Sequence, residues 1–117
     1  MGEHTEELEI AESFLSDMLN ADHAGDFEGF IKHFDEADIE GFEESNFLED
    51  VERMREDLGA YKSRFYLGSL NGFKTENHPK CIRFVWRATY EKNEALIIVG
   101  IHEKNGTWYV NENVVSK

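Results

Sequence analysis

The hydrophobic period changes once along this 117-residue chain, at Gly59, and that change constrains the fold more than any other feature. Before Gly59, apolar residues recur every three or four positions, the spacing of one helix face. After it they alternate, the spacing of a strand with one buried face. Leu8, Ala11, Phe14, Leu15, Met18 and Leu19 define a first amphipathic helix from about Thr5 to Ala21. Gly25 suits a turn, and Asp26 opens a second, short helix with Phe27, Phe30, Ile31 and Phe34 on its apolar face. From Asp35 to Glu44 only Ile39 and Phe42 stand out, without a period, and the stretch reads as a loop. A third helix follows, with Asn46 as N-cap and Glu49 three residues on. Its apolar face is Phe47, Val51, Met54 and Leu58, and Gly59 sits where a left-handed C-terminal residue belongs.

Four strands are expected beyond Gly59. Tyr61 to Leu70 is the first, ending in the Asn71-Gly72 turn pair. Lys80 to Glu91 alternates, with Ile82, Phe84, Trp86, Ala88 and Tyr90 on one face and Arg83, Val85, Arg87 and Thr89 on the other. After the Lys92-Asn93 turn, Ala95 to Glu103 is nearly continuous hydrophobe, which predicts a central strand covered on both faces. Asn105-Gly106 signals a hairpin into a last strand, Thr107 to Val115, with Trp108, Val110 and Val114 on one face. The prediction is an α+β domain over residues 1–117: three N-terminal helices packed on a curved four-stranded antiparallel sheet.

Charge follows the same division. Residues 1–59 carry twenty acidic against three basic side chains, a net of −17; residues 60–117 carry five against nine, a net of +4, which together make the chain's −13. A surface this acidic repels phosphate, which argues against nucleic acid and anionic membranes as partners. The acidic half is read as solvated helix faces, with a basic protein partner as the alternative. The longest apolar run, Ala95 to Ile101, is far short of a membrane span, and Met1 to Glu9 lacks the apolar core of a signal peptide. A cytoplasmic protein is expected if Met1 is native, and an exported one, periplasmic or secreted, if an N-terminal signal has been removed. The single cysteine, Cys81, excludes an internal disulfide framework.

The segment Asp22-His23-Ala24-Gly25-Asp26-Phe27-Glu28-Gly29-Phe30, the Leu58-Gly59 junction and the closing Asn105-Gly106-Thr107-Trp108-Tyr109-Val110 together carry a family resemblance. The last is similar to the Gly-x-Trp-x-Val ending of the cone-shaped nuclear-transport-factor-2-like proteins, close to the cystatin-like layout. The chain most resembles small bacterial members without an assigned activity. The resemblance implies a curved sheet wrapped around a long first helix, often paired as a dimer through the sheet. Enzymes of the family include ketosteroid isomerases, polyketide cyclases, dehydratases and epoxide hydrolases. They act in the mouth of the cone with carboxylates, tyrosines or histidines from the strands and from the loop after the second helix. Here that loop runs from His33 to Glu40, and Asp38 falls near the base of isomerase-like members. The Asp-Pro usual there is missing, and Phe14 stands where a hydroxyl donor would help, so no catalytic residue is carried over.

Read from the residues alone, a ligand pocket under the helices would be lined by Trp86, Tyr90, His102 and Glu112. Simple parity with Trp108, Val110 and Val114 turns Glu112 inward, where desolvation would raise its pKa. The alternative for Glu112 is a wet strand end, or pairing with Arg83 or Arg87 across a bulge; for His102 it is a satisfied histidine at the sheet margin. The five histidines are scattered, with no His-x-x-x-His pair. His33 with Asp35 and Asp38 could make a loop site for a divalent ion, but an acidic loop with one histidine is more often merely solvated, so no metal is expected. Phosphate-cradling glycine loops are absent, no base accompanies Cys81, and no cofactor is expected. The fifteen aromatic residues fall on faces that are buried in any case. On the outer sheet face, Val85, Thr89, Tyr109 and Val115 join one face of the Ala95–Glu103 strand, which predicts a homodimer interface bordered by Arg83 and Arg87. Two functions stand open. One is a non-enzymatic ligand-binding or protein-interaction module; the other is a cofactor-independent acid–base enzyme (isomerase, cyclase or lyase) acting on a small apolar molecule.

Overall fold

The computed structural model describes residues 4–71 and 81–117. In chain order the elements are α1 (Thr5–Ala24), α2 (Phe27–Ile31), a 3-10 turn (Glu36–Asp38), α3 (Glu44–Asp57), β1 (Tyr61–Asn71), β2 (Ile82–Tyr90), β3 (Glu94–Lys104) and β4 (Thr107–Ser116). The strands pair antiparallel in the order β1-β2-β3-β4, a meander with no crossover, and the three helices pack against it. The fold is α+β, as the change of period predicts. Gly72 of the expected turn, His78, Pro79, the Lys80 strand start and the Met1-Gly2 terminus lie outside the described residues. Among those described, no helix is long and apolar enough to cross a membrane.

Helix α1 buries Ala11, Leu15 and Met18 completely, a stripe at four- and three-residue spacing. The stripe lies on the inner sheet face against Phe84, Trp86 and Ala88 of β2 and Ile97, Val99 and Ile101 of β3, all inaccessible to solvent. α1 continues three residues past the expected Ala21, and Gly25 closes it with its one N–H turned to the Ala21 and Asp22 carbonyls. Asp22 is therefore helical, one turn beyond Met18 on the buried stripe.

Asp26 caps α2 as expected, accepting from the Gly29 N–H at 3.2 Å. The loop after it is less irregular than its sequence predicts. Phe34 bridges to Val110 of β4, and Phe42 joins Phe27, Phe30 and Phe47 in an aromatic cluster with centroids 4.9–6.1 Å apart. α3 starts earlier than expected. Its N-cap is Glu43, and Asn46 serves from the third helical position by accepting the Glu43 N–H at 2.9 Å. Gly59 holds the left-handed residue past its end, at φ 79°, where a Cβ would come within 2.8 Å of Glu91.

One irregularity reorders the end of the sheet. β3 and β4 pair Gly100 with Glu112 and Ile101 with Val110, leaving Asn111 as an extra residue. A β-bulge of this kind inverts the side-chain parity beyond it. Val110 is inward as expected, but Asn113 and Val115 then turn inward, while Glu112 and Val114 turn outward. Glu112 is consequently not beneath the helices; its carboxylate takes two hydrogen bonds from Arg83 on the outer face, at 2.8 and 3.1 Å. Val115 likewise leaves the expected outer patch, and Val114 replaces it. β3 is covered along its inner face but on its outer face only towards its end, where Gly100 and His102 are buried, while Leu96 is 43 % exposed.

Candidate functional site

Two cavities flank the C-terminal end of α1. The smaller, about 290 Å³, lies between the aromatic cluster, α3 and the end of β4; Asp22, Phe30, Phe42, Phe47, Asp50 and Asn113 are among its walls. The larger, about 650 Å³, lies between α1, α3 and the adjoining ends of β1 and β2, and includes Asp22, Leu19, Tyr61, Arg64 and Tyr90. Asp22, Val51 and Met54 line both, so these three side chains stand where the spaces meet. Their sizes suit a small molecule rather than a macromolecule.

The chemistry centres on Asp22. Burial, reinforced by the neighbouring charge of Asp50, pushes its carboxyl up to about 7, and no hydrogen bond from a described residue opposes the shift. Tyr90 closes the larger cavity from β2. It is 5 % exposed, and its buried hydroxyl lacks a hydrogen-bond partner among the described residues. Burial, then the nearby Asp22, pushes that hydroxyl up to about 12. On the other side, Asn113 donates from Nδ2 to Met18 Sδ at 3.3 Å, while its Oδ1 is buried without a partner. Buried polar atoms are normally satisfied, so two that are not, one on each cavity with the half-buried Asp22 between them, mark this end of the core as different from ordinary core.

Of the residues expected to line a pocket, Tyr90 alone borders these cavities. Trp86 lies at the centre of the core with its indole N–H on Glu12, whose other oxygen accepts from Arg64 at 2.8 Å. Arg64 also donates to Tyr61 Oη at 3.0 Å and Ser16 Oγ at 2.9 Å, tying β1 to α1. His102 follows the inward Ile101 and so faces outward, opposite Tyr109. Its Nε2 meets the buried Asp35 carboxylate at 2.8 Å, and the Lys104 ammonium lies 3.4 Å from the same group. Burial alone would raise Asp35, but His102, the Ala37 N–H and Lys104 outweigh it and hold the carboxyl below its usual range.

The loop arrangement expected from His33, Asp35 and Asp38 does not assemble. His33 turns to Asp17, 2.7 Å away, and stacks on Phe14. Asp35, Asp38 and His102 do bring ligand atoms within 4.8 Å of one another, a spacing a divalent ion could use. The Lys104 ammonium already supplies a positive charge there, however. Cys81 is buried on the outer face beside Asn111, and burial raises its thiol, which makes it unreactive.

Sequence reasoning missed Asp22 and Asn113. Asp22 was legible: the spacing 11, 15, 18, 22 continues the buried stripe by one turn, onto an acid. Asn113 was not, since the bulge at Asn111 carries no distinctive signature. Compared with known proteins, the chain matches no family model and no curated protein.

Proposed function

We propose that this protein is a small-molecule-binding domain of the nuclear-transport-factor-2-like cone type, with its ligand seated between the helices and the sheet. One observation carries the reading: the half-buried Asp22 carboxyl and the buried Tyr90 hydroxyl border cavities of about 290 and 650 Å³ with no hydrogen bond from a described residue. Such groups are costly in a folded protein and are retained where a ligand satisfies them. Element order, the helices on one face of a meander and a long first helix support the family assignment. The test is a screen of small apolar molecules bearing one polar group, followed by amide chemical shifts. Shifts centred on Asp22, Met54 and Asn113 support the site; binders that perturb only the outer sheet face remove it.

A second reading is favoured by the Asp22 carboxyl alone. At about 7 it exchanges a proton under neutral conditions, and the Tyr90 hydroxyl across from it is a donor for a developing anion. In this reading the domain is a cofactor-independent isomerase, cyclase or lyase with Asp22 as acid–base group. Asp22→Asn then abolishes turnover of a bound molecule, whereas in a binding module there is no turnover to lose.

The proposal includes a homodimer through the outer sheet face. Phe65 of β1 is 62 % exposed there, with Leu96 and Val114 also open to solvent around Val85. Arg87 lies over the Phe65 ring, 5.6 Å from its centroid, and Arg83 is engaged by Glu112, so the patch is bordered by cations. Tyr109 sits at its far end beside His102. An apolar surface of this kind on a small domain is covered more readily than solvated. Val85→Glu is expected to halve the mass measured by light scattering; a wild-type chain that is already monomeric sinks the interface.

A further inference from the structure

Hydrogen-bond acceptors outnumber donors where the two cavities meet. The Asp22 carboxylate on both cavities, Asn113 Oδ1 on the smaller and the Tyr90 hydroxyl oxygen on the larger have no donor from a described residue. The cations on these walls are already engaged, Arg53 and Lys117 with acids that line the smaller cavity themselves. Arg53 is on Asp50 at 3.2 Å, Lys117 on Asp57, and Arg64 on Glu12. Arg55 donates to the His23 carbonyl at the end of α1, and Lys92 to the Glu56 carbonyl at the end of α3. Glu91 adds a further negative charge at the rim of the larger cavity, and His23 flanks Asp22 on its own helix.

The smaller cavity is also lined by the aromatic rings of Phe30, Phe42 and Phe47. Ring faces attract cations, most strongly where water is excluded. Unpaired acceptors and aromatic rings lining one cavity, in a chain of net charge −13, describe a site for a positive organic group.

We propose that the smaller cavity takes a small protonated amine, its ammonium bound by the Asp22 carboxylate and Asn113 Oδ1 and its apolar part against Phe30, Phe42 and Phe47. This rests on the reading of the space as a ligand site and names the ligand's chemical class. It also specifies the proton balance. The amine arrives already protonated, and its charge favours the ionised form of Asp22. Below about pH 7 the proton leaves Asp22 for solvent as the ligand binds, and no proton passes between ligand and protein.

The test is calorimetric titration of the full chain with 2-phenylethylamine, 2-phenylethanol and 3-phenylpropanoate, in two non-amine buffers of different ionisation enthalpy. The amine is expected to bind about tenfold tighter than the alcohol, a charged hydrogen bond against a neutral one, and to release a fraction of a proton. Asp22→Asn should remove both the advantage and the proton release while leaving the alcohol's affinity within about twofold. His23→Gln, which leaves Asp22 in place, should change neither. An alcohol or acid that binds as tightly as the amine, or an amine advantage that survives Asp22→Asn, overturns the proposal and leaves the cavity a ligand site. Failure of all three probes to bind overturns the ligand site as well.

Discussion

Two aspartates of this domain, Asp35 buried and Asp22 half-buried, have opposite surroundings. Asp35, on the outer side of the sheet, accepts from His102, from the Ala37 N–H and from Lys104, and its carboxyl is held below the ordinary range. Asp22, at the end of α1, has no donor among the described residues, faces Asp50, and is pushed up to about 7. A buried carboxylate with its partners in place is a structural tie between segments 67 residues apart in sequence. One without partners is an unmet demand, and it is the one that borders the cavities. Burial alone does not mark a candidate site; a desolvated carboxyl without partners beside a cavity does.

The largest test of this contrast is Asp35→Ala. It leaves the buried His102 and the Lys104 ammonium without their shared carboxylate, and the expected loss is about 3 kcal/mol in urea denaturation near neutral pH. Because the folded carboxyl lies below its ordinary value, this contribution is present above that value and fades as pH falls through the folded one. The deficit should therefore shrink under acid conditions. A loss under about 1 kcal/mol would reduce Asp35 to a surface ion pair and remove the contrast.

Asp22→Asn should act in the opposite direction. The folded protein binds this proton more tightly than the unfolded chain, so ionisation costs stability progressively as pH rises from about 4 to about 7. The variant should gain little at about pH 4 and on the order of 2 kcal/mol at about pH 8, where the full shift sets a ceiling of about 4. Equal stability of the two proteins across that range would mean that Asp22 already has a partner.

Tyr90→Phe is the smallest expected effect. The hydroxyl makes no hydrogen bond with a described residue, so removing it should change stability by less than about 0.5 kcal/mol while the ring stays packed on Tyr61. A loss beyond about 1.5 kcal/mol would show a satisfied hydroxyl and sharpen the site to Asp22 and Asn113.

Local features were legible along most of the chain. Gly59, the Asp26 cap and the Asn105-Gly106 hairpin each carry their conformational requirement in their own residues. The Ala11–Leu15–Met18 stripe shows which face of α1 is inward. The start of α3 was not, because Asn46 has the chemistry of an N-cap yet serves from inside the helix. Asp22 lay at the edge of legibility, on the right face of α1 but one residue past the end that periodicity suggested.

What the sequence by itself determined is the class of fold: three amphipathic segments followed by alternating ones can bury their apolar faces together as helices on a sheet. The tertiary structure alone decided which polar groups meet. A single extra residue in β4, Asn111, turned Glu112 out to Arg83 and brought Asn113 in beside Met18. The distant His102 and Asp35 came together because the loop after α2 pairs with β4 at Phe34 and Val110. The physical reason is one of range. Periodicity reports how each segment lies relative to the core, whereas partners across a sheet depend on register, which one inserted residue shifts for everything beyond it.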